Sequence, residues 1–393
     1  RQDSAIGAED VPQKMLSNVF ANLLYTNGGF SAGIRFESYL DPILGFNSQY
    51  KGAGIANKFM SYQNDMFEIT AGNFYDQYGS GLIFRSYEDR NLGLDNAMMG
   101  VNVKFRPVDG IIIKSMVGKQ RYYWDYGKGL VRGIDGEFSL NSLIKNFEES
   151  KTRITLGAGF VSKYEEDQTI LSSVEGYKLN LPLNVGAGAF RMDLAHGNWG
   201  LQAEYAIKSQ DPNALNNYIY KNGNALFVSA SYSQKGLGIN LQAKRIDNMG
   251  FKSERTSTGE MLYINYIPAM SKQHTYALMA LYPAITQVNG EMGIQADVTY
   301  SIKKGTWLGG KYGTTLKMNY SQIMSIDKQP LEGYTTIDQK GTDGYTSDFF
   351  KVGDELYYQD FNVEVSKKLS KKSKLALTYA YIAFNPIMEN EHG

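Results

Sequence analysis

Few residues of this chain are placed for covalent chemistry. It has three histidines and no cysteine. Without Cys there is no disulfide, no thiolate zinc site and no thiol nucleophile, and three His leave little for a His-rich metal centre. His196 lies in the turn Ala195-His196-Gly197-Asn198, His274 opens a strand-like run, and His392 sits at the tail. None stands beside a candidate Ser as a hydrolytic triad requires, so each reads as a surface histidine. Asp327, Glu332, Asp338, Asp343, Asp348, Asp354 and Glu355 crowd one acidic stretch. Their spacing matches no calcium loop, and the stretch reads as a solvated external loop. No GxxxxGK[ST] phosphate loop occurs. Gly157-Ala158-Gly159 and Gly186-Ala187-Gly188 lie inside strand-like runs, where glycine marks close packing or a bend. The expectation is no enzyme, no cofactor and no metal.

A second set of charges follows a different logic. Arg35 and Glu37 alternate with Ile34 and Phe36, Glu68 with Phe67 and Ile69, and Lys104 and Arg106 with Val103 and Phe105. Lys114, Glu204, Lys244, Asp297, Lys317 and Glu364 stand in the same way against apolar residues of opposite parity. Arg85 does so inside Gly72–Arg90, where Leu82 and Phe84 take one parity and Ile83, Arg85 and Tyr87 the other. Strict alternation marks a strand between two unlike environments. In a membrane barrel the charged face is the lumen and the apolar face meets lipid. These twelve residues are therefore the candidate lumen lining. Both signs occur, as in an ion-paired polar wall. Arg85, Lys104, Arg106 and Lys114, read as lying on consecutive strands, form a basic ladder that could favour anions. Register parity pairs Arg85 with Glu68 on the preceding strand.

The elements that must position these charges repeat along the chain. The predicted class is all-β: an antiparallel transmembrane barrel of the outer-membrane type, with about 16–20 strands and roughly 19 by direct count of the segments. Residues 1–12 form a polar segment and 13–393 one barrel domain. Short turns at 107–110, 195–198, 234–236, 269–273, 303–305 and 369–374 alternate with long polar stretches at 122–130, 164–183, 208–222, 246–259 and 322–355. That is the pattern of periplasmic turns and external loops. Aromatics near strand ends suit interface girdles: Tyr39, Tyr62, Tyr87, Tyr122, Tyr123, Trp124, Tyr164, Tyr232, Tyr263, Tyr282, Trp307, Tyr357 and Tyr358. Forty Lys+Arg balance forty Asp+Glu, which removes a global case for nucleic-acid binding. No apolar run approaches the ~20 residues of a membrane helix.

The block GNFYDQYGSGLIFRSYEDRNLGLDNAMMGVNVKFRP (72–107), followed by Gly118-Lys119-Gln120-Arg121, resembles an uncharacterised outer-membrane barrel family of Bacteroidota-type bacteria. The resemblance implies a multi-pass barrel in the outer membrane, in contact with lipid and lipopolysaccharide, with no residue-level function to carry over. The charged inner face and large strand count favour a porin-like channel for small solutes. The alternative is an accessory barrel of a larger complex for barrel assembly or secretion, which would need other outer-membrane or periplasmic partners. A last expectation concerns the end of the chain. If 369–374 is a periplasmic turn, the strand 375–384 runs outward. An odd count would then leave at least one closing strand outside this sequence.

Overall fold

A computed structural model describes residues 16–43, 46–280 and 283–385. The polar segment 1–12, Tyr282, His392 and the tail after Asn385 lie outside the described residues. The chain forms a large antiparallel sheet of seventeen strands, one of which, Asp125–Tyr126, is a two-residue extension of a hairpin. The other sixteen are β1 (Ser17–Asn27), β2 (Phe30–Asp41), β3 (Gly52–Gln63), β4 (Phe67–Phe74), β5 (Met98–Phe105), β6 (Ile111–Tyr122), β7 (Leu130–Ser139) and β8 (Thr152–Tyr164), followed by β9 (Asn184–His196), β10 (Trp199–Lys208), β11 (Gly223–Gln234), β12 (Leu237–Asp247), β13 (Gly290–Ile302), β14 (Thr314–Ile326), β15 (Val352–Lys368) and β16 (Lys374–Phe384). Each pairs antiparallel with the next in chain order. Among the described residues β16 is laddered to β15, and no ladder joins it to β1. The described residues contain no helix long and apolar enough to cross a membrane.

The sheet is an outer-membrane-type barrel wall, and its two faces separate by parity. Leu23, Ile34, Ile55, Ile69, Ile134, Phe160, Phe190, Ile207, Leu241, Ile294 and Leu377 point outward and are exposed. An apolar belt facing out is what a hydrocarbon environment selects. Glycine lets the outer aromatics lie flat: a Cβ on Gly186 would meet the Phe160 ring at 2.8 Å. Odd-numbered strands lead into short-turn-rim connections, of which only 140–151 and 303–313 are long. Even-numbered strands lead into the long-loop rim, where 75–97, 165–183, 209–222, 248–289 and 327–351 lie.

The interior overturns two sequence expectations. Only Gly72–Phe74, the end of β4, of the stretch Gly72–Arg90 belongs to the wall. After β4 the chain leaves the sheet and returns at β5, and between them it folds inward with only two-residue pairings, Gln77–Tyr78 with Phe84–Arg85 and Glu88–Asp89 with Leu94–Asp95. Leu82, Ile83 and Phe84 are each fully buried; Leu82 and Phe84, expected to face lipid, face the barrel core. The described residues of 248–289 likewise hold no wall strand. Their alternating stretches around Tyr263 and His274 form one long infolded connection, which is why roughly nineteen segments reduce to sixteen strands. The physical reason is a degeneracy: a segment half-buried inside a barrel also sits between unlike environments, and period two cannot tell a lipid face from a packed lumen. These two segments, here called plug segment A (75–97) and plug segment B (the described residues of 248–289), pack with inward wall residues such as Met116, Val131, Val161, Ala206, Phe227 and Ile323 into one apolar core inside the barrel.

Candidate functional site

The site is the lumen and the two segments that fill one level of it. They are tied first to each other. Arg85 N donates to Ile264 O at 2.9 Å and Tyr266 N to Gly81 O at 2.9 Å. Asn265 Nδ2 reaches Leu82 O and Met249 O, and Asn96 Nδ2 reaches Tyr263 O at 3.2 Å. Backbone groups that would be costly to bury unpaired thus satisfy one another across the two segments.

Segment A is then fixed to the wall by charge. Arg35 on β2 bonds Glu37 of its own strand at 2.7 Å, Glu88 at 2.9 Å and Asp95 at 2.6 Å. Arg121 on β6 bonds Glu37 at 2.7 Å and Asp95 at 2.6 Å. Tyr39 and Tyr75 donate to Glu37 and Asp95. Glu37, Glu88 and Asp95 bring carboxylate oxygens together as metal ligands could, but two guanidiniums already occupy that space, so the cluster is a salt-bridge network. Lower in the barrel Lys114 binds Asp76 at 3.1 Å and Gln77 O at 2.9 Å, while Glu204 accepts from Ser80 N at 2.7 Å. Wall glycines make room for this contact. A Cβ on Gly133 would lie 2.8 Å from the Tyr78 ring, and one on Gly159 would lie 3.2 Å from Ile83.

Segment B is held differently. Lys163 on β8 donates to Lys252 O at 2.8 Å, Lys208 on β10 to Gly250 O at 2.5 Å, and Lys244 on β12 to Pro268 O at 2.5 Å. The buried ammoniums are neutralised by Asp211 for the first two and Glu291 for the third. Burial pushes the Asp211 carboxyl up, but Lys163 and Lys208 more than offset this and hold it below its ordinary value. Within segment B, burial depresses the Lys252 ammonium to about 8. At the far end of the segment Lys272 donates to Asn362 at 2.6 Å, and His274 pairs with Asp360 at 2.7 Å. His274 is therefore not a surface histidine. Its side chain is buried on β15's inner face, a contact invisible in sequence because its acid lies 86 residues away.

The twelve sequence candidates fall as follows. Arg35, Glu37, Lys114, Glu204 and Lys244 lie on inward wall positions and hold the plug. Glu68, Lys104, Asp297, Lys317 and Glu364 share the inward parity of their strands; Lys317 lies 3.8 Å from Glu364, and Asp297 accepts from Gln295 and Asn319. Arg106 follows β5 and pairs with Glu68 at 3.4 Å. Arg85 is the exception: it belongs to segment A, and Glu68 is not its partner. Its guanidinium carbon lies instead 4.4 Å from the Tyr87 ring centre and 4.0 Å from that of Tyr266. The basic ladder accordingly does not run through consecutive strands. Arg121, Arg191, Lys163 and Lys208, which carry much of the inner charge, were missed at strand ends and beside glycines. Arg191 forms a two-pronged bond with Asp135 at 2.7 Å. Several expected girdle aromatics also turn inward: Tyr39 and Tyr358 are buried on the inner face, and Tyr87 and Tyr263 lie in the plug, whereas Tyr62 and Trp307 remain exposed.

A sequence profile described as a family of unknown function, DUF6029, matches residues 1–393. The chain belongs to the DUF6029 family. No curated protein matches this DUF6029 sequence. In outline it is similar to outer-membrane barrels of known structure. OpdK of Pseudomonas aeruginosa gives a TM-score of 0.46 at 11% identity over 94% of this chain and 88% of that chain. OccD3 (OpdP) of the same organism gives 0.48 at 11% over 94% and 82%. A BenF-like porin of Pseudomonas fluorescens Pf-5 gives 0.43 at 12% over 93% and 86%.

Proposed function

We propose that this DUF6029 barrel is a non-enzymatic, porin-like channel of the bacterial outer membrane, in contact with lipid and lipopolysaccharide, that passes small solutes through a lumen narrowed by its own infolded segments. The observation that carries this reading is the layered interior. One level is packed by segments A and B. Towards the short-turn rim the inner face of β8–β12 is polar and lines an open cavity of about 310 Å³ with Arg153, Thr155, Asp193, Gln202, Ser229 and Asn240 among its walls. A wide barrel with inward loops, charged inner positions and an apolar exterior has the parts of a selective pore.

Planar-bilayer recording of the purified full chain tests it. Single-channel events are expected, with larger conductance when 77–95 is replaced by a Gly-Ser linker that removes the plug tip. Absence of channel events at every voltage in both proteins would overturn the reading.

A further inference from the structure

Arg85 occupies an unusual position for a cation inside a protein. Its backbone is bonded into the junction of the two plug segments, so the side chain is rooted on a rigid element. Its guanidinium sits in the angle between the Tyr87 and Tyr266 rings, whose centres are 5.7 Å apart at 79°. Among the described residues its guanidinium forms no hydrogen bond or ion pair, although nearly every other inward arginine is committed to a carboxylate. All three side chains are only half-buried, and neither phenol oxygen has a hydrogen-bond partner among the described residues. The guanidinium sits in the corner between the two rings, and no described residue accepts from its N–H groups. A guanidinium presents parallel donors, a geometry that matches a carboxylate.

We propose that Arg85, Tyr87 and Tyr266 form a binding site for an organic monocarboxylate within the plug. One uncompensated cation suits one negative charge. The acidic groups Asp89 and Glu260, which act through space on Tyr87, disfavour a dianion. Cation–π contact with the two rings restrains the guanidinium, which lowers the ordering cost of binding. The site names a solute class for the proposed channel and rests on that reading only for its role in passage, not for binding itself.

The test is calorimetric titration of the full chain, folded in detergent, with butyrate, its neutral isostere butyramide, and inorganic phosphate. Folding is checked by the gel shift between unheated and heated samples. Butyrate is expected to bind and butyramide not. Arg85→Gln should weaken butyrate by at least about tenfold, since a charge-assisted two-pronged bond is removed, and Arg85→Lys should fall between because the charge stays and the fork is lost. The assignment is overturned by failure of butyrate to bind the native protein, by equal binding of butyramide or of Arg85→Gln, by tighter binding of phosphate, or by butyrate binding that appears only in Glu260→Gln, which would make Arg85 an internal ion-pair partner. Arg85-dependent binding in a protein that never conducts would refute the channel and keep the site; conductance with no such binding would do the reverse.

Discussion

Segment A brings its own carboxylates, Glu88 and Asp95, to arginines of the wall, whereas the middle of segment B brings carbonyl oxygens to lysines of the wall. The first arrangement is written in the segment's side chains. A guanidinium fork and a carboxylate specify each other's position and angle. The second is written mainly in the wall, because any residue except at a special backbone position offers the same carbonyl. An ammonium is a point charge with three rotatable donors and tolerates that generality. Two neighbouring segments can thus be docked in one lumen, one with a demanding sequence and one with a permissive sequence.

The largest effect should come from the arginine side. Arg121→Met leaves Glu37 and Asp95 buried with half their cationic partners, a change that costs about 3–5 kcal/mol when a buried ion pair loses one member. Denaturant unfolding of the barrel in detergent should register the loss, and segment A should exchange its amide hydrogens faster than segment B. Unchanged exchange in segment A would show that the network does not hold it. Next is packing. Gly133→Val places atoms where the Tyr78 ring now sits, a Cβ alone lying 2.8 Å from it. Overpacking of this kind costs about 1–3 kcal/mol, and the loosening should again centre on segment A. A variant as stable as the parent would mean that Tyr78 can move freely.

The same contrast explains what the sequence made legible. Wall strands such as β2, β6, β10 and β12 alternate apolar and polar residues around their charges, so inward Arg35, Lys114, Glu204 and Lys244 could be placed by parity alone. Segment A was visible as a block, through its glycines and aromatics, but its inward fold was not, because Leu82, Ile83 and Phe84 resemble the core of a strand. Nothing in residues 250–268 announces segment B. Its anchors are Lys163, Lys208 and Lys244 of three other strands, and no local pattern reports a distant donor to a carbonyl. His274 was misplaced for the same reason, since Asp360 is 86 residues away in sequence and in contact only after the barrel forms.

A milder change should separate the segments in the other direction. Lys163→Met removes the donor to Lys252 O and one partner of Asp211, which keeps Lys208 and Asn213. The cost should be about 1–3 kcal/mol, the range for one buried polar partner lost, and faster amide exchange should be confined to 248–289. Faster exchange spreading equally into 75–97 would mean that the plug opens as one body and that the contrast between its anchors has no dynamic consequence.

The smallest expected effect is a pH dependence that belongs to segment B. Lys252 is fully buried, its ammonium donates to Gly259 O and lies over the Tyr263 ring at 4.4 Å, and burial lowers its pKa from 10.5 to about 8. The sign follows from proton counts. Between pH 8 and 10.5 the released segment binds more protons at this position than the docked one, so docking strengthens as pH rises through that window and gains nothing further above it. Below pH 8 both states carry the proton and the docked form bears the full cost of a buried charge. Amide exchange is base-catalysed and must be corrected for pH, so the cleaner readout is protection of Lys252 and its neighbours from an amine-acylating reagent, compared with a reporter lysine on the exposed short-turn rim such as Lys371. Relative protection should increase from pH 8 to 10 in the parent. In Lys252→Met, followed at Lys163, whose ammonium donates to the carbonyl of residue 252, the increase should disappear, because a thioether has no proton to release. A parent profile that is flat over this window, or a rise that persists unchanged in the variant, would move the cause away from Lys252 and leave segment B anchored by the wall lysines alone.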